Sequence, residues 1–226
     1  MASKTQLDYL VDILCDYPGL LEEADNVLSP KTPPKDNSAT WIDIVHQCGE
    51  KLTQLSEWQR SWVSEFELCR YEVDASHSSN ISIEAGGPLF PSILYFTDIW
   101  RAYECCVHNA LRILLLRLYV LACQMGQRVT ASPNDIMADF DEIGASVETL
   151  ATEICRSIDY FLSQHGQIGA LLLMFPAQIA LLPLDRTSDV AIWLMRVLEK
   201  ISELDGLEIG RQILTGRCTD LVVTCR

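Results

Sequence analysis

The chain has 226 residues, 49% of them hydrophobic and 21% charged, and 31 Asp and Glu outweigh 17 Lys and Arg to give a formal net charge of −14. That length suits one domain with a substantial buried core. An acidic chain is repelled by a polyanion, and Arg112 with Arg117, five apart on an apolar segment, makes no basic cluster, so the charge argues against direct nucleic-acid binding.

Leu7, Leu10, Val11 and Leu14 recur at helical spacing, and the helix is expected to stop before Pro18-Gly19, with Leu20 to Leu28 as a short second helix. Ser29 to Thr40 reads as a polar, proline-bearing loop. Trp41, Val45, Cys48, Leu52, Leu55, Trp58, Trp62 and Phe66 step by three or four, the mark of a long amphipathic helix. Asp74 to Asn80 is polar, and Gly86-Gly87-Pro88 with Pro91 marks a second connection.

Ser92 to Met125 is almost continuously apolar and predicts a buried helix, broken at most once, with Gly126 as its C-cap. Ser132-Pro133-Asn134-Asp135 predicts a helix start. Ile136, Phe140, Ile143, Val147, Leu150, Ile154 and Phe161 then share one face. Gln164 to Leu184 carries no Asp, Glu, Lys or Arg, but Gly166, Gly169, Pro176 and Pro183 interrupt it, so it reads as buried core rather than a membrane span. Val190, Trp193, Leu194, Val197, Leu198 and Ile201 form another amphipathic helix, with Trp193 inside, ending near Gly206; a short final helix is expected over Leu207 to Thr215. No segment shows the strict alternation of a half-buried strand.

The expected fold is therefore all-α: an irregular bundle of antiparallel helices in a single domain. An N-terminal helical segment and polar loop occupy 1–40 and the main helical domain 41–226.

Nine cysteines stand at Cys15, Cys48, Cys69, Cys105, Cys106, Cys123, Cys155, Cys218 and Cys225, with no Cys-x-x-Cys pair. The odd count and wide spacing suit free thiols in a reducing compartment rather than a disulfide framework or a zinc knuckle. The first residues meet Asp8 before any long apolar run, unlike a secretory signal, so the protein is not expected to be secreted.

Several features now fall into a familiar order. Leu52, Leu55, Trp58 and Trp62 precede a variable loop and the apolar run from Asn109 to Leu115. Glu153 to Ile158, Phe175-Pro176, Trp193-Leu194, Gly206-Leu207 and Gly210 follow. Over roughly residues 41 to 215 this resembles the C-terminal regulatory region of fungal zinc-cluster transcription factors, the fungal-specific transcription factor domain. The resemblance implies transcription regulation in the nucleus (or cytoplasm), serving a fungal secondary-metabolite gene cluster. It implies as partners another transcription regulator or a second copy of the chain, and a small hydrophobic metabolite. The family's zinc-cluster head needs six cysteines in two closely spaced sets, and that spacing is missing here, as are the basic linker and dimerising coiled coil. Action without direct DNA contact and without a membrane is the expectation.

No residue is singled out as catalytic or metal-ligating, and no cofactor is expected. The histidines His46, His77, His108 and His165 form no short metal motif. Asp98, Glu104, Asp159 and Arg112 are charges in apolar surroundings, which are costly to bury unless paired. His108, Arg112, Asp98 and Asp159 are the candidate ligand-pocket residues. Nucleotide loops and the Gly-x-Ser-x-Gly elbow are absent from the sequence. Two alternatives stand beside the regulator: a motif-poor cyclase or isomerase acting on a hydrophobic metabolite, and a non-catalytic interaction subunit. A deep apolar cavity with converging His and acid would favour the enzyme; a large exposed Leu and Trp face would favour the subunit.

Overall fold

Thr5 opens the first helix with a capping box: its hydroxyl accepts from the Asp8 N–H at 3.2 Å, and the Asp8 carboxylate accepts from the Thr5 N–H at 2.7 Å. In the computed structural model, which describes residues 4–29, 37–127 and 137–203, this helix α1 runs unbroken over Gln6–Leu28. The expected stop before Pro18-Gly19 does not occur. Pro18 lies on the exposed side, while Leu10, Ile13, Leu20 and Ala24 are buried along one stripe on either side of it. Continuous burial along that stripe outweighs the ~3 kcal/mol cost of an interior proline.

Helix α2, Ser38–Phe66, buries Trp41, Cys48, Leu55, Trp58 and Trp62 of the stripe read from the sequence and adds Ile44, while Val45, Leu52 and Phe66 of that stripe are half-buried. Two short strands follow, β1 (Arg70–Asp74) and β2 (Ser92–Phe96), which pair antiparallel with Val73 opposite Ile93. Between them lie a 3-10 turn, Ala75–His77, and the one-turn helix α3, Asn80–Glu84. The strands correct the reading that no segment is a strand. Neither alternates: β1 is exposed on both faces apart from half-buried Val73, whereas β2 buries Ile93, Leu94 and Phe96. Period-two patterning appears only where one face is wet and the other dry.

The apolar run from Ser92 is thus divided into β2 and helix α4, Ile99–Gln127. Asp98 makes the division: its carboxylate accepts from the Trp100 N–H at 2.9 Å and the Arg101 N–H at 3.1 Å, capping α4. Gly126 lies inside α4 rather than capping it. From Ile99 to Gly126 the helix is long and apolar enough to cross a membrane. Here it is the central element of the fold. Val107, Leu111, Leu115 and Leu118 join a core with α1 and α2, while Ala102, Cys106, Ala110 and Ile113 join a second core with α5 and α6. A helix buried on two sides needs apolar residues nearly all round.

Helix α5, Met137–Ala180, bends at Gly166, whose φ of +50° and ψ of −124° are not helical. A left-handed φ with this ψ suits glycine, which has no Cβ to clash. Val147, Leu150, Ile154 and Phe161 are buried before the bend, and Ala170, Leu173, Met174, Ala177 and Ala180 after it. Ile168 and Leu171 face outward, so the charge-free stretch is core on one side only. Helix α6, Asp189–Glu203, buries Trp193, Leu194, Val197, Leu198 and Ile201, with Glu199 and Glu203 exposed.

The expected helix start at Ser132 to Asp135, Ile136, the Phe140 side chain, the stop near Gly206 and the helix over Leu207 to Thr215 lie outside the described residues and side chains. So do Gly210, Cys218, Cys225 and most of the loop from Ser29 to Thr40.

Candidate functional site

The four residues singled out from the sequence do not converge. Asp98 is exposed and caps α4. Asp159, on α5, is buried and accepts from the Ser79 N–H at 2.8 Å and the Ser79 hydroxyl at 2.9 Å, tying α5 to the start of α3. Only His108 and Arg112, one turn apart on α4 and both against α2, are neighbours.

The His108 ring stacks on Trp58 with centroids 4.9 Å apart, and its Nε2 lies 3.3 Å from the Leu55 carbonyl oxygen. Burial pushes its pKa down to about 4, and the positive charge of Arg112 acts in the same direction. The ring is therefore neutral at pH 7 and packs as part of the core. The Arg112 Nη1 donates to Gln59 Oε1 at 3.3 Å, while its buried Nε finds no protein partner.

Two further charged groups anchor the cores. Glu104 accepts from the Trp62 indole N–H at 2.9 Å and from Arg101 at 2.5 Å, and desolvation raises its pKa. Glu153 accepts from Arg70 at 2.9 Å and from Asn109 at 3.0 Å, joining α5 to β1 and α4. Apart from the Arg101–Glu104 pair, three residues apart on α4, these ties connect residues 42 to 83 positions apart and leave no local spacing to detect.

A mostly apolar cleft lies elsewhere, at the seam between the two cores. α1 and α5 both pack on α4, and a cleft of about 280 Å³ opens where they part. Leu114, Leu118, Leu121 and Arg117 of α4 line its floor. Tyr17 and Leu21 of α1 form one wall, and Ile143, Gly144, Val147 and Glu148 of α5 the other. Leu182 and Pro183, just beyond α5, close one end. The volume sits at the small end of the range for ligand sites, and mostly apolar walls with a few polar groups are typical of them.

Arg117 is the cation of this cleft. Its Nη1 donates to the Leu182 carbonyl at 3.1 Å, fixing the turn after α5. Burial raises the pKa of the Tyr17 phenol and the charge of Arg117 opposes that rise, which places the two groups within electrostatic reach. None of the four expected pocket residues lines this cleft. The signal that could have found it is Arg117 itself, a single charge within the apolar run Ile113 to Cys123. His108 and Arg112 carry the same kind of signal but face α2.

A different surface exposes large apolar side chains. Leu68, between α2 and β1, is 88% exposed, and Trp100, in the first turn of α4, is 54% exposed. The backbone bond from the Thr97 N–H to the Cys69 carbonyl, at 2.9 Å, brings these two stretches of chain together.

No family model matches the chain, and no significant match connects it with a curated protein or a solved structure.

Proposed function

We propose that this protein is a transcription-regulator-like module that acts by binding a small hydrophobic molecule and another regulator, or a second copy of itself, rather than by touching DNA. Its place is the nucleus, and its task is to serve a fungal biosynthetic gene cluster. The observation that carries this reading is the apolar cleft between α1 and α5 on the floor of α4. A guest there touches elements of both cores at once. Binding that favours one arrangement of the two layers shifts the population toward it, which is what a ligand-responsive regulator requires. The order of tryptophan, leucine and glycine features supports the regulatory half of the proposal, and the charge of −14 supports indirect action at DNA.

The test is a tethering assay. The whole chain is fused to an unrelated DNA-binding domain and its effect on a reporter gene is measured in a fungal host. A several-fold change in transcription is expected. A fusion that is expressed and folded but leaves the reporter unchanged overturns the proposal.

The exposed Leu68 and Trp100 favour a second reading, a non-catalytic interaction subunit, because large exposed apolar groups mark contact surfaces. Under that reading Leu68→Ser with Trp100→Ser loses a protein partner, while Gly144→Phe, which fills the cleft, changes nothing.

A further inference from the structure

We infer that the cleft takes a hydrophobic monocarboxylate, with the Arg117 guanidinium receiving the carboxylate and the walls of α1, α4 and α5 receiving the carbon skeleton. The inference rests on the ligand-binding reading above and names the chemistry of its ligand.

The argument begins with Arg117. It is the cation among the residues lining the cleft, and its hydrogen bond is to a neutral acceptor, the Leu182 carbonyl. Among the described side chains, no carboxylate stands within ion-pair distance of it. A guanidinium carries five N–H donors in a planar fork that matches a carboxylate in two parallel bonds. One bond to a carbonyl leaves most of that capacity open.

Glu148 also lines the cleft and carries the opposite charge. It is exposed, whereas Arg117 is half-buried between α1 and the turn after α5. Water and salt screen an exposed charge far more than a partly buried one, so Arg117 sets the sign of the site. The Tyr17 phenol and the Gln124 amide supply further polar atoms. Leu21, Leu114, Leu118, Leu121, Ile143 and Val147 offer nothing but hydrocarbon, which selects an apolar body. A volume of about 280 Å³ limits that body to a medium-length chain or a compact ring system.

The test uses sodium decanoate and 1-decanol, both below the concentrations at which they aggregate, with calorimetric titration and thermal melting of the full chain. Decanoate is expected to bind saturably, one per chain, and to raise the melting temperature. Decanol is expected to bind at least about tenfold more weakly. Arg117→Met keeps the aliphatic stem and should erase the preference for the acid. Because Arg117 also holds Leu182, that variant is paired with Gly144→Phe. Gly144 lines the cleft, and a Cβ built on it meets nothing within 4 Å, so a large ring there fills the cleft without clashing at its root. Gly144→Phe should fold and lose both ligands.

Equal binding of decanol and decanoate, or an unchanged preference in Arg117→Met, overturns the role of Arg117. No binding of either, or full binding in Gly144→Phe, overturns the site. A reporter that responds in the tethering assay while decanoate fails to bind sinks this inference alone. Decanoate binding with a silent reporter sinks the regulatory proposal alone.

Discussion

The indole N–H of Trp193 donates to the backbone carbonyl of Ser82 at 3.3 Å, across 111 residues of chain. The Gly87 N–H donates to the same oxygen at 2.9 Å, so α6, α3 and the turn before β2 meet at one carbonyl. Trp193→Ala should lower stability by about 3–5 kcal/mol, a large part of a domain's total, and Trp193→Phe by about 1–2 kcal/mol. Gly87→Ala tests the junction from the other side. A Cβ there would stand 2.9 Å from Trp193 Nε1, 2.9 Å from Ser82 Oγ and 3.0 Å from the Ser82 carbonyl oxygen, with an expected cost of roughly 1–3 kcal/mol. Urea unfolding of the three variants gives the values. An unchanged midpoint for Trp193→Ala would remove α6 from the core.

His108 should make stability fall in mild acid. Its pKa is about 4 in the folded protein and 6.5 without burial, so between these values the unfolded chain binds the extra proton. This contribution to stability is intact above pH 6.5 and declines as pH falls toward 4. The full effect is roughly 3 kcal/mol at about 1.4 kcal/mol per pKa unit. His108→Gln should lack this part of the pH dependence, read as the change in unfolding free energy between pH 7 and pH 4.5. Identical slopes for parent and variant would show that the ring is not held neutral.

Glu104 separates charge from hydrogen bonding. Its pKa is raised, so the native state gains its advantage from the protonated form at low pH and loses it as pH rises through the folded value. Glu104→Gln keeps an acceptor for the Trp62 N–H and removes a charge that burial disfavours, so it should be nearly neutral at pH 7. Glu104→Ala leaves both Trp62 and Arg101 without their acceptor and should cost roughly 2–3 kcal/mol. Equal losses in the two variants would mean that the charge itself is required.

The buried thiols should resist modification in the native state. Cys48, Cys106 and Cys155 are buried, and desolvation pushes each pKa up to about 12, while Cys15 is exposed. The thiolate is the nucleophile and metal ligand, so these sites are inert until the chain unfolds. Mass spectrometry after a brief native pulse of a maleimide should find Cys15 labelled and those three not. Chelators should leave the circular dichroism spectrum unchanged, whereas loss of helix would reveal a structural metal.

Duplex DNA should not bind the chain near physiological salt, given its charge of −14. A gel shift that depends on DNA sequence and weakens with salt would count against indirect regulation.

Helical spacing of apolar residues is a local property, and it was enough to place most of α2, the buried stripe of α5 and the inner face of α6 with Trp193 on it. Cost and benefit that depend on distant neighbours were not legible. Pro18 reads as a stop because its lost hydrogen bond is local, whereas the burial that carries α1 through it comes from α2 and α4. The strands were not legible because pairing across 22 residues, Glu72 with Leu94 at its centre, needs no alternation when one strand is wet and the other dry. Asp159 and Glu104 were visible as charges in apolar surroundings, but their partners Ser79 and Trp62 were not. Arg117 was visible as a lone charge in an apolar run, but the cleft around it was decided by the tertiary structure, since it is a gap left where two helices part on a third, and no single segment of sequence contains it.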